Sequence, residues 1–141
     1  MDLGFQVSDR SIQEFNLMKM LDKNGQGKYR YIIYKVINNK EIDIEKIGQR
    51  EETYDDFVKS LPLDDARYCV FDYSMTYSDG RNANKLIYIF WCPDTAKVKV
   101  KMVSASTNQF FFGKLQGGLV SHQANDLSAL SKNEIEKKLS F

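Results

Sequence analysis

Residues 91–106 read WCPDTAKVKVKMVSAS, and this stretch decides how the rest of the chain is organised. An aromatic residue and a proline turn come first, and the segment that follows alternates lysine with apolar residues up to Met102. The spacing predicts a long helix over about residues 95–115 that ends at the glycine pair Gly117-Gly118. The remaining elements must supply the surface on which this helix packs.

The predicted helix has apolar residues on two opposite sides. The first stripe consists of Ala96, Val100, Val103, Thr107, Phe110, Phe111 and Lys114. The second stripe consists of Val98, Met102, Ala105, Gln109 and Phe112. One stripe is enough to hold a surface helix on a core, and lysines flank the second stripe. The second stripe therefore predicts a surface for a partner protein, and a helix buried all round is the alternative.

Outward from this helix, strands and helices alternate along the chain. The patterns predict a helix over 8–22, strands over 29–36 and 41–47 joined at Asn38-Asn39, a helix over 54–61, strands over 66–77 and 85–92, a strand over 119–124 and a helix over 131–139. This order, α-ββ-α-ββ-α-β-α, predicts an α/β (α+β) fold in which helices cover both faces of a central mixed sheet of five or six strands.

Length and charge restrict the class of protein. With 141 residues, the sequence predicts a single domain that spans 1–141. Because 20 basic residues face 19 acidic ones, the net charge of +1 gives no overall attraction to nucleic acid, which we exclude as a partner. The chain contains no apolar run of membrane-spanning length and no signal-peptide profile at its start, so we expect a cytoplasmic protein.

Candidates for catalysis or metal binding are weak. Cys69 and Cys92 lie in apolar stretches and predict buried, reduced thiols. His122 is the single histidine, and neither it nor Asp72 belongs to a known catalytic motif. These residues therefore give only a weak basis for a metal site or for the alternative of a small enzyme that uses Asp72 or His122.

Residues 91–106 resemble the signature of the ADF/cofilin family of actin-binding proteins. Segments 28–34, 54–62 and 69–73 resemble further blocks of that family in the same order, and 4–9 resembles its N-terminal segment. The resemblance covers nearly the whole chain. It implies the ADF-homology fold, binding of monomeric and filamentous actin, and faster filament depolymerisation, without catalysis or a cofactor. We expect a monomer associated with the cytoskeleton.

The resemblance also implies two sets of actin-binding residues. The monomer-side set is Leu3, Gly4, Lys99, Lys101, Met102 and Ser106, with Thr107 beside it. The filament-side set is Lys85, Glu136, Lys137 and Lys138.

The chain departs from the family pattern at several positions. Ala83 stands where the family has a basic residue, and 108–112 carries no charge where the family has cations. These departures imply weak severing and weak phosphoinositide binding. Leu3 occupies the position of the family's regulatory serine, so we expect that phosphorylation switch to be absent. Alternatives with the same fold are a coactosin-like filament binder and a glia-maturation-factor-like ligand of the actin-related branching complex.

Overall fold

In the computed structural model, which describes residues 6–23, 26–115 and 118–139, six strands form one mixed sheet. The strands are β1 (Gln6–Val7), β2 (Tyr31–Ile37), β3 (Glu41–Gly48), β4 (Arg67–Thr76), β5 (Asn82–Trp91) and β6 (Val120–Ala124). Their order across the sheet is β1-β3-β2-β4-β5-β6. The two outer pairs, β1 with β3 and β5 with β6, are parallel, and the inner pairs are antiparallel. The predicted mixed sheet is confirmed, and β1 is a strand that the sequence patterns did not indicate.

The helices lie on both faces of the sheet. They are α1 (Asp9–Lys19), α2 (Tyr54–Lys59), α3 (Val98–Lys114) and α4 (Lys132–Leu139), with a short 3-10 helix at Ser128–Leu130. Side chains from α1 and α3 share one apolar core with alternate strand residues, such as Tyr68 and Val70. Side chains from α2 and α4 share the other core with the residues between them, such as Cys69 and Phe71. The period-two alternation of β4 thus supplies both cores at once.

Local signals form the predicted hairpin turn and the starts of α1 and α2, whereas α1 ends at Lys19 and α2 at Lys59, before the predicted residues 22 and 61. Asn38 and Asn39 both have positive φ, 53° and 56°, as a tight hairpin between β2 and β3 requires. The Ser8 hydroxyl accepts a hydrogen bond from the Ser11 N–H at 3.1 Å and caps α1. Thr53 and Asp56 form a reciprocal capping box at the start of α2. These elements begin where they do because short-range hydrogen bonds fix their ends.

The long helix begins three residues later than predicted. Its first residue is Val98, because 93–96 forms a turn in which the Ala96 N–H donates to the Pro93 carbonyl at 2.9 Å. The Thr95 hydroxyl donates to the Leu63 carbonyl instead of entering the helix. On β5, the Trp91 Nε1–H donates to the Pro62 carbonyl at 2.6 Å. These long-range bonds tie the start of α3 to the loop after α2.

Asp72 and the cysteines have structural roles. Asp72 lies on β4, which is an inner strand, and the residue is buried. Arg50 Nη1 donates to its carboxylate at 2.8 Å, and this ion pair accounts for the burial of the charge. Cys69 and Cys92 are buried free thiols, as predicted, and burial raises the pKa of Cys69.

Candidate functional site

Helix α3 presents an apolar ridge to solvent. We define the ridge as Val98, Met102 and Ala105, which all lie on its exposed side. The side chains of Val98 and Met102 are each 69% exposed. The alternative of a helix buried all round is therefore wrong, and the second stripe is a free surface for most of its length. Phe112 at its end is half-buried and packs against the core.

One lysine lies on each side of the ridge. At roughly 100° per residue, Lys99 and Lys101 fall on opposite sides of Met102. Lys99 is exposed and Lys101 is partly exposed. An apolar ridge between two cations suits a partner surface that is apolar in the middle and acidic at its edges.

The buried side of α3 differs in part from the predicted stripe. Ser104, Thr107 and Phe111 are its buried residues, whereas Val103 is 45% exposed. The small Ser104 lets the helix approach the sheet, where its hydroxyl lies 3.5 Å from the Cys92 thiol. The Thr107 hydroxyl donates to the Val103 carbonyl at 2.9 Å, so this buried hydroxyl has a hydrogen-bond partner within the core. Of these three residues, only Ser104 lies outside the predicted stripe, because a small polar side chain gives no apolar signal in the sequence.

A pocket of about 270 Å³ adjoins the ridge. Helix α3 lines one side with Lys99, Val100 and Val103, and the opposite side is formed by Val36, Asn39, Asp65, Ala66 and Tyr68. The pocket gives this face of the molecule a concave surface beside the convex ridge.

Other members of the monomer-side set are placed differently. Leu3 and Gly4 lie outside the described residues. Ser106 is exposed on α3, but Thr107 is fully buried and cannot touch a partner, which corrects its assignment beside the site. The structure therefore brings together Lys99, Lys101, Met102 and Ser106 on one surface.

The filament-side set lies on the opposite face of the sheet and divides into two kinds of residue. Lys137 and Lys138 are exposed on α4. Lys85 on β5 instead donates from Nζ to the Leu139 carbonyl at 2.8 Å, and Glu136 accepts a hydrogen bond from the Tyr73 hydroxyl at 2.6 Å. Tyr73 was not among the predicted residues, because nothing distinguishes it from the other aromatic residues of an apolar strand.

Other candidates for chemistry do not form a site. His122 Nε2 lies 2.7 Å from the Ala129 carbonyl, on the link between β6 and α4. Within 6–23, 26–115 and 118–139, no three histidine, cysteine or acidic side chains are grouped so that they could share a metal ion. None of the helices in the part of the chain described here has the length and apolar character to cross a bilayer.

A family model described as cofilin/tropomyosin-type actin-binding protein matches residues 4–140. The chain belongs to this family. The resemblance that residues 91–106 indicated is thus confirmed, and the ridge on α3 lies within the segment that carries it.

Members of the cofilin family from distant organisms match over most of their length. Actin-depolymerizing factor 8 of Arabidopsis thaliana is 38% identical over 125 residues, or 88% of this chain and 89% of the relative. Actophorin of Acanthamoeba castellanii is 36% identical, over 96% of this chain and 94% of the relative. The crystal structure of Streptomyces griseoflavus cofilin has a TM-score of 0.80 at 31% identity and covers 96% of this chain and 98% of that one.

A coactosin from Entamoeba histolytica also has this fold. Its TM-score is 0.76 at 13% identity, with 97% of this chain and 95% of that chain covered. An identity this low shows the shared fold and nothing about the partner.

Proposed function

We propose that this protein binds monomeric and filamentous actin and promotes filament depolymerisation. The observation that carries the proposal is the exposed ridge on α3 between Lys99 and Lys101, in a chain that belongs to the cofilin family. The family is described by its binding of actin, so the proposed activity involves neither catalysis nor a cofactor. Relatives named as depolymerizing factors, at 34–40% identity, favour this function over the coactosin-like and glia-maturation-factor-like alternatives.

In this proposal, each face of the sheet carries a different actin-binding surface. The monomer-side surface is the ridge with Lys99, Lys101 and Ser106. The filament-side surface, on the other face, is formed by α4 with Lys137 and Lys138. We expect the protein to act as a monomer, in the cytoplasm, with the actin cytoskeleton.

The first prediction concerns the lysines beside the ridge. The double substitution Lys99→Ala with Lys101→Ala removes two charges that meet acidic groups of actin at the edge of the contact. Each charge contributes about 1–3 kcal/mol if partly desolvated, so affinity for monomeric ADP-actin falls about 30-fold or more. Titration of fluorescently labelled ADP-actin monomer measures this change.

The matched control for this test removes two positive charges from the other face. Lys137→Ala with Lys138→Ala should leave monomer affinity unchanged and weaken co-sedimentation with filaments. Equal monomer affinity in the Lys99/Lys101 variant and the wild type would exclude the ridge as the monomer site.

The second prediction is slow filament severing and weak phosphoinositide binding. The second half of α3 is used for packing: Tyr88 donates to the Asn108 side chain at 2.6 Å, Phe111 is buried, and Phe112 packs on Tyr88. Compared with family members that carry the full basic set, this chain lacks two to four cations. At ~1 kcal/mol each near a charged surface, their absence lowers the affinity for anionic partners by one to a few orders of magnitude. Single-filament microscopy at physiological salt measures the severing rate.

Adding one cation should restore part of the severing activity. Ala83→Arg places the charge two residues from Lys85 on the same face of β5, and Asn82→Arg adds it on the opposite face as a control. We expect Ala83→Arg alone to accelerate severing. Rapid severing by sub-micromolar wild-type protein would contradict the prediction.

A further inference from the structure

Helix α4 is attached to the sheet at two points by one cross-strand pair. Tyr73 on β4 and Lys85 on β5 are directly opposite each other in the antiparallel register. The Tyr73 hydroxyl donates to Glu136 Oε2 at 2.6 Å, in the middle of α4. The Lys85 ammonium donates to the Leu139 carbonyl at 2.8 Å, at the last residue of the helix. Ile135 and Leu139 of α4 are buried beside these contacts.

Each contact has a physical reason to be strong. A lysine at the C-terminal end of a helix meets carbonyls that have no partner within the helix and the negative end of the helix dipole. A tyrosine that donates to a carboxylate forms a charge-assisted hydrogen bond. Burial and the contact with Glu136 raise the pKa of Tyr73, so the hydroxyl keeps its proton and remains the donor.

We propose that Tyr73 and Lys85 form a clamp that sets the position of α4, so that Tyr73, Lys85 and Glu136 act on filament affinity through that position. The clamp rests on the function proposed above, in which α4 contacts the filament. Tyr73 is only 5% exposed and cannot reach a partner, which makes it a positioning residue. With both contacts formed, Glu136 and Leu139 face the sheet, whereas Lys137 and Lys138 are exposed to solvent.

The test compares substitutions that separate hydrogen bonding from charge. Tyr73→Phe removes only the buried hydroxyl, and we expect filament affinity in co-sedimentation to fall about three- to tenfold, with monomer affinity unchanged. Glu136→Gln keeps an oxygen that accepts the tyrosine bond but removes the charge that strengthens it, so it should retain more filament affinity than a variant that cannot accept the bond. Glu136→Met cannot accept the bond and should weaken binding as Tyr73→Phe does. Tyr34→Phe, which removes a hydroxyl bonded to the Ser11 carbonyl on the other face, is the control.

Backbone amide exchange provides a readout that does not depend on actin. The amides of α4 should exchange about three- to tenfold faster in Tyr73→Phe and stay unchanged in Tyr34→Phe. Unchanged exchange in Tyr73→Phe would overturn the clamp, and so would a loss of filament affinity in Glu136→Gln as large as in Glu136→Met. A wild-type protein that binds no filaments would overturn the proposed filament contact and the clamp's role in it. The exchange data would then still report whether the contact between Tyr73 and Glu136 holds α4.

Discussion

Replacing Met102 by aspartate should abolish binding to monomeric actin and leave the fold intact. Met102 lies at the centre of the ridge between Lys99 and Lys101, so a contact made by this face buries it. Apolar anchors at the centre of an interface contribute most to its affinity, and a carboxylate in their place must lose its water without gaining a partner. We expect affinity to fall about 100-fold or more, which corresponds to roughly 3 kcal/mol.

The same titration of labelled ADP-actin monomer measures this loss. Met20→Asp is the matched control, because Met20 is also an exposed methionine, 68% exposed at the end of α1, and lies outside the ridge. Met20→Asp should bind actin as the wild type does. Both variants should keep the wild-type circular dichroism spectrum, since neither side chain is buried. Wild-type affinity in Met102→Asp would show that the ridge is not part of the actin contact.

Phe111→Ala should cause the largest loss of stability among substitutions on α3. Phe111 is fully buried, and its ring centroid lies 4.7 Å from that of Tyr34, 6.0 Å from that of Tyr68 and 6.3 Å from that of Tyr88. The substitution leaves a cavity between the helix and three strand residues, at a cost of about 3–5 kcal/mol in the free energy of unfolding. Domains of this size have only about 5–15 kcal/mol of stability, so the effect is large.

Urea denaturation of the variant and the wild type measures the free energy of unfolding. Phe110→Ala is the matched control, because Phe110 is a neighbouring phenylalanine that is only partly buried. We expect it to cost about 1 kcal/mol, in proportion to the smaller apolar area that it removes from water. A loss below 1 kcal/mol for Phe111→Ala would mean that α3 does not pack on the sheet through this ring.

The sequence by itself determined the elements whose causes are local. Asn38-Asn39 predicts its hairpin because both residues tolerate positive φ, and the helical spacing that begins at Ser8 predicts α1, whose cap is the Ser8 hydroxyl bonded to the N–H three residues on. The alternation of strand residues and the two stripes of α3 are equally local, since side-chain direction follows from backbone geometry. The order of the elements predicts the mixed sheet, and the family signature in 91–106 adds actin as the expected partner of the second stripe.

Only the tertiary structure decided which surfaces pack together and which side chains form contacts within the protein instead of facing solvent. It buried Ser104, which belongs to neither predicted stripe, and left Val103 exposed, because the fit of α3 to the sheet depends on side-chain size as well as polarity. It paired Asp72 with an arginine 22 residues away in sequence. It joined Tyr73 and Lys85 to α4 across 63 and 54 residues, so that Lys85 and Glu136 hold the helix while Lys137 and Lys138 face solvent. Contacts over such separations depend on strand order and register, and no periodicity or capping signal within a short segment encodes them.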